Sequence, residues 1–320
     1  MPKIERPAIR LLARHSDLDA EDLNVALHRE VYADVRDWRW LVRVLLLSLG
    51  LGFLASGILF FFAFNWQDIP KFGKIALAAV AVSVPAILAA IPWLSELTRK
   101  GLLTTAAFLV GPLFGVLGQI YQTGANAYDL FLGWVVFILV WVVAMDFAPL
   151  WLLWLVLVNT TITLYAEQVA FDWPFDLLLF GLCALNLTAA GGFAFARRFG
   201  RGETYPKWLP RVVFPSAIVC STIACVWAIT ESGHTGIFLT RVLPTLLLYA
   251  GLVGICLQRK SLFALASIAL SVMVIVSALL VVNVDDEGGF FLTTLWVMAA
   301  TAGSIVGLNH YRKIWRHDEA

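Results

Sequence analysis

The sequence predicts an all-α protein, a polytopic bundle of about ten membrane-spanning helices behind a short cytoplasmic amphipathic helix. Three observations predict it. Hydrophobic residues make up 60% of the 320 residues and charged ones only 14%, against about 45–50% and about 25% in soluble globular chains. The apolar residues fall into runs near the length that a hydrocarbon core about 30 Å thick requires. The lysines and arginines alternate between crowded loops and nearly empty ones, as they do where a chain crosses a bilayer repeatedly.

Residues 1–43 form a charged leader with no signal-peptide pattern of basic start, apolar middle and small-residue cleavage site. Asp19, Glu21 and Asp22 mark a helix start, where acids complement the positive end of the helix dipole. Leu23, Leu27, Val31, Val35 and Trp38 then make an apolar stripe at three- and four-residue spacing. Such a helix packs on the membrane surface or on short loops, or docks a partner, and it feeds directly into the first span.

The spanning domain covers residues 44–309. Its segments are Val44–Phe64, Ile75–Leu94, Leu102–Tyr121, Leu130–Met145 and Leu150–Tyr165. The second five are Leu177–Ala196, Val212–Ile229, Val242–Leu257, Leu262–Val282 and Phe290–Leu308, and residues 310–320 form a tail. The fourth, fifth and eighth are short as drawn, so they extend a turn further or sit where neighbours shield their ends.

With ten spans both termini lie on one side. All but three of the 23 lysines and arginines fall there, the exceptions being Lys71, Lys74 and Arg241. Positive residues stay cytoplasmic, so both termini are expected inside. The opposite face carries Asp68, Asp129, Glu167, Asp172, Asp176, Glu231, Asp285, Asp286 and Glu287. The Asp285–Glu287 run lacks the alternating ligand spacing of a calcium loop and reads as a solvated turn.

Inside the spans no Asp, Glu, Lys or Arg sits centrally, which counts against ion-coupled transport and proton pumping. Asn159, Thr160, Thr161 and Asn186 do lie at depth, and read as interhelical hydrogen-bond partners. Pro85, Pro112, Pro215 and Pro244 interrupt or open four spans, a weak parallel between two five-span halves of the kind that inverted-repeat transporters show. Ala299, Gly303 and Gly307 form a small-residue stripe on the last span, read as a helix contact.

No HExxH, GxSxG or Walker loop is present. His15, His28, His234, His310 and His317 lie in the leader, a loop or the tail. Cys183, Cys220, Cys225 and Cys256 sit in apolar runs without a CxxC pair, and read as small packing residues. The expectation is a non-enzymatic protein without cofactor or metal. Its bases abut lipid, so the partner is the bilayer and its anionic headgroups rather than nucleic acid.

The chain is organised around the corner from Gly111 to Trp134. Gly111, Gly115, Gln119 and Gln122 share one helical face, where small residues admit a neighbouring helix and Gly115 permits close backbone approach. Two stretches here carry a resemblance. One is Asn65-Trp66-Gln67-Asp68-Ile69-Pro70-Lys71-Phe72-Gly73-Lys74; the other runs Gln119-Ile120-Tyr121-Gln122-Thr123-Gly124-Ala125-Asn126-Ala127-Tyr128-Asp129-Leu130-Phe131-Leu132 and on to Trp134. They resemble a family of predicted bacterial multi-pass membrane proteins known as a domain of unknown function, over roughly the first 150 residues. The resemblance implies a bacterial inner-membrane location and, in some members, a neighbouring membrane protein with a GDYXXLXY signature. It implies no activity.

Both motifs are turns on the outer face. Asn65, Trp66 and Asp68 from the first, with Gln119, Tyr121, Gln122, Asn126, Tyr128 and Asp129 from the second, are expected to form an aromatic and amide-lined patch at the rim. That patch is either a pair of turns pinned for folding or a ligand or partner site. The leading functional expectation is a structural or accessory subunit that binds another membrane protein. The alternatives are a transporter with a groove near Gln119 and Gln122, and a membrane enzyme acting on a lipid-linked substrate.

Overall fold

The computed structural model describes residues 34–64, 69–122, 126–200, 204–231, 238–284 and 287–318, with single positions at 19, 21, 22, 25, 124 and 202. Leu23, Leu27 and Val31 of the leader stripe lie outside the described residues. So do Asn65, Trp66 and Asp68 of the first motif, and Asp285 and Asp286 of the acidic run.

Helices are the regular structure of the described residues, and no strand occurs among them. In order the helices are α1 (Val35–Phe64), α2 (Lys71–Ala89), α3 (Glu96–Tyr121), α4 (Ala127–Met145) and α5 (Ala148–Gln168). They continue as α6 (Phe175–Arg198), α7 (Trp208–Glu231), α8 (Leu243–Gln258), α9 (Leu262–Asn283) and α10 (Glu287–Asp318). Ten helical segments among the described residues are long and apolar enough to cross a membrane. The expected all-α polytopic bundle is therefore what the chain forms.

Two boundaries fall inside helices. Val35 and Trp38 belong to α1, one helix of 30 residues that runs through position 43 without a break. Likewise α10 carries on past position 309 to Asp318. The short spans gain length as expected: α4 has 19 residues and α5 has 21. The eighth is lengthened by a wide π turn, Phe238–Val242, in front of the 16 residues of α8. Pro244 follows that turn and has no N–H to offer the carbonyl four residues back, which loosens the ladder there.

The helices pack as two unlike sets. In the first, α3 lies against α1, α2, α4 and α5. Its core holds Val82, Val110, Trp134, Ile138, Val142, Leu150 and Leu157. In the second, α7 packs on α6 and α9, and α9 also on α8 and α10. Ile218, Cys225, Tyr249, Ile268 and Ile275 form its centre. The helices at matching positions in the two sets, α3 and α8, have different neighbours, so the proline parallel does not extend to a repeated packing pattern. The sets meet where α5 touches α6.

Lipid offers no water to a polar group, so each buried donor needs a partner within the protein. Indoles supply several of the cross-helix bonds. Trp134 Nε1 donates to Ala107 O at 2.7 Å, Trp154 Nε1 to Val135 O at 3.2 Å and Trp296 Nε1 to Met273 O at 3.3 Å. Asn159 and Asn186 pair between α5 and α6, as their depth suggested. In the second set the Tyr249 hydroxyl lies 2.7 Å from both Ser221 Oγ and Ser271 Oγ, and Thr222 Oγ1 is 2.6 Å from Ser271 Oγ. The four cysteines are free thiols, three of them buried, in keeping with packing roles.

Candidate functional site

The corner after α3 begins with a close contact. Trp134 on α4 lays its ring on Gly111 of α3. A Cβ at Gly111 would overlap Cζ3 and Cη2 of that ring, so only glycine fits. The expectation for Gly115 is corrected here: a Cβ there would find its nearest neighbour, Leu130 Cδ1, at 3.9 Å. Gly111 sets the α3–α4 approach, and it does so for the tryptophan that closes the second motif.

Further along α3 the face emerges at the rim. Gln119 is exposed and Tyr121 is 62% exposed. Gln122 leaves the helical register: it is the C-cap, in the left-handed region with φ 45°, and Gly124 follows at φ 61°. The expected shared face of Gly111, Gly115, Gln119 and Gln122 therefore ends at Gln119. Neither glutamine side chain hydrogen-bonds to another described residue, so the amides point out of the bundle rather than across it.

Asn126 caps α4, and its N–H donates to Asp129 Oδ2 at 3.1 Å. The two residues close the first turn on each other, which is a local folding role. Tyr128 looks the other way. Its N–H donates to Gln168 Oε1 at the end of α5 at 3.1 Å, and its ring meets Tyr165 edge-on at 5.3 Å. Tyr165 in turn meets Trp173 at 5.8 Å.

The rim cluster that the structure shows is thus Tyr128, Tyr165, Gln168 and Trp173. Only Tyr128 came from the motifs. Tyr165 and Trp173 flank the next corner at this same end, and their interfacial placement was the available signal. Asn65, Trp66 and Asp68 lie outside the described residues, but α2 starts at this end. Ile75 near its start and Ile120 near the end of α3 belong to one small apolar cluster.

The basic end carries its own polar corner, which the sequence did not single out. Asp146 is the C-cap of α4 at φ 43°. Its Oδ1 accepts from Trp151 Nε1 at 3.0 Å and from the Tyr205 hydroxyl at 2.6 Å. These bonds staple the α4–α5 corner to the α6–α7 loop. Clefts of about 280 and 730 Å³ open at this end, the smaller beside Tyr205 and the larger between α6, α7, α8 and α9. Both are remote from Gln119 and Gln122. Among the described residues no three His, Cys, Asp or Glu side chains converge as metal ligands would.

Among the described residues, ten apolar helices that satisfy their buried polar side chains internally and expose wide hydrocarbon faces define a polytopic helical membrane protein. Its N-terminal part, residues 18–151, matches the family described as "Predicted membrane protein (DUF2157)". That match covers both motifs and helices α1 to α4. Comparisons with curated proteins and with solved structures found no match.

Proposed function

We propose that the protein is a non-enzymatic accessory subunit of the bacterial cytoplasmic membrane, with both termini cytoplasmic, that binds another membrane protein. The observation carrying this reading is the small-residue stripe of α10. Ala299 is exposed, and a Cβ added at Gly303 or Gly307 would find nothing within 4 Å. Among the described residues the stripe does not make the close helix contact that was expected of it. Small residues at four-residue spacing favour close helix approach in lipid, and here that approach is left to another chain. At the acidic end, the outward amides of Gln119 and Gln122 are groups able to hydrogen-bond a partner's loops.

The partner class follows from the chemistry: a membrane protein offering a helix face to α10. A GDYXXLXY-type membrane protein, which the family resemblance implies as a neighbour, fits this description. The inside placement of the termini rests on the one-sided distribution of lysine and arginine. The unlike packing of the two five-helix sets supports an accessory role over an inverted-repeat transporter.

Purification of the tagged chain from native membranes tests the reading. A stoichiometric membrane partner is expected, and it should be lost when Gly303→Leu and Gly307→Leu are combined. Recovery of the chain alone from each of several mild detergents would overturn the proposal.

A further inference from the structure

The larger cleft at the basic end has a composition that its surroundings do not share. It lies between the α6–α7 and α8–α9 hairpins, and its volume of about 730 Å³ falls in the range of small-molecule sites, about 300–1,000 Å³. Arg197, Arg198, Lys207, Arg211, Arg259 and Lys260 stand around its mouth, and none of its lining residues is acidic. Among the described residues no salt bridge joins Arg197, Arg198, Arg211 or Arg259 to a carboxylate. The bases at the α2–α3 corner behave differently: Lys100 pairs with Glu96, and Arg99 donates to Ala89 O at 2.8 Å.

Below the mouth the walls are apolar. Leu187, Gly191 and Ala194 line it from α6, and Leu252 and Phe263 from α8 and α9. On α6 these residues continue the helical face that ends in Arg197 and Arg198. From Arg198 down to Leu187 the wall is about 16 Å deep at the helical rise. That is close to one leaflet, half of a hydrocarbon core about 30 Å thick. A Cβ at Gly191 would meet nothing within 4 Å, so the wall has room at mid-depth.

We propose that this cleft binds an anionic phospholipid of the surrounding leaflet, with its phosphate among the guanidinium groups and an acyl chain along the α6 wall. Arginine suits a phosphate because its planar fork donates two parallel hydrogen bonds. The apolar wall distinguishes a lipid from a free anion, which would gain nothing from it. This site is independent of the partner surface on α10, so either reading can fail alone.

The test uses the full chain, delipidated in mild detergent and titrated with phosphatidylglycerol or with phosphatidylcholine of the same acyl chains, with bound lipid counted by native mass spectrometry. Phosphatidylglycerol should bind at least about tenfold more tightly than phosphatidylcholine. Combining Arg198→Gln, Arg211→Gln and Arg259→Gln should weaken it by about a hundredfold. The tail pair Arg312→Gln and Lys313→Gln, which also removes positive charge, should change nothing. Gly191→Phe fills the wall and should weaken binding without touching a base; Ala194→Phe replaces it if the first variant does not keep the parent's melting temperature. Equal binding of the two lipids, an equal loss in the tail pair, or no effect of filling the wall would each overturn the proposal. Displacement of the lipid by millimolar inorganic phosphate would also overturn it, in favour of a soluble anion.

Discussion

Asn159 and Asn186 exchange hydrogen bonds in both directions across the contact of α5 with α6, Asn186 Nδ2 to Asn159 Oδ1 at 2.6 Å and Asn159 Nδ2 to Asn186 Oδ1 at 3.2 Å. Each amide also donates to its own helix, to Leu155 O at 2.7 Å and to Leu182 O at 2.8 Å. Both amide protons of each residue are thereby used, and the pair sits where the two helix sets meet.

Replacing one partner strands the other. Asn186→Leu or Asn159→Leu should each cost about 0.6–2 kcal/mol. The double replacement should cost less than the sum, since it leaves no amide unpaired. A double-mutant cycle on unfolding in detergent measures the coupling; strict additivity would show that the pair contributes nothing jointly.

The two glycines of the α3 face should separate cleanly. Gly111→Ala drives a methyl group into the Trp134 ring, and overpacking of this kind costs about 1–3 kcal/mol. Gly115→Ala, with its nearest neighbour at 3.9 Å, should stay within about 0.5 kcal/mol. Melting temperatures of the two variants in one detergent check this.

At the rim, stability and function should come apart. Gln122→Gly relieves the left-handed backbone at φ 45°, which costs a non-glycine residue about 1 kcal/mol, so the variant should be as stable as the parent or slightly more so. Gln119→Leu removes an exposed amide with no bond to lose among the described residues. If these amides engage a partner, both variants should melt normally and capture less of it. Full capture by the double variant would confine the partner to other surfaces.

The hydroxyl network of the second set is a folding element. Tyr249→Phe removes the group that joins Ser221 and Ser271, and should cost about 1–3 kcal/mol. The loss should appear as a lower unfolding midpoint with lipid binding at the basic cleft retained.

Orientation is open to chemical labelling. In a version with the four native cysteines replaced by alanine, Asp172→Cys should react with an impermeant thiol reagent in intact spheroplasts. Gly202→Cys should react only after lysis. Labelling of position 202 from outside would reverse the orientation argued from the basic loops.

The sequence by itself determined the class, the number of spans and the two unlike ends. Those depend on transfer of apolar runs into lipid and on loop charge, which are properties of residues taken a stretch at a time. It also picked out Asn159 and Asn186, because amides at that depth must find a partner. Only the tertiary structure decided which small residue matters at the corner: Gly111 and Gly115 are alike in sequence, and they differ in whether Trp134 lies above them. It likewise moved the rim cluster to Tyr165, Gln168 and Trp173. Gln168 stands 40 positions from Tyr128, and the two adjoin only once α4 and α5 pack. The basic cleft has the same origin. Its charges come from two separate helix corners, α6–α7 and α8–α9, and their convergence on one apolar wall is a consequence of how the two hairpins sit side by side.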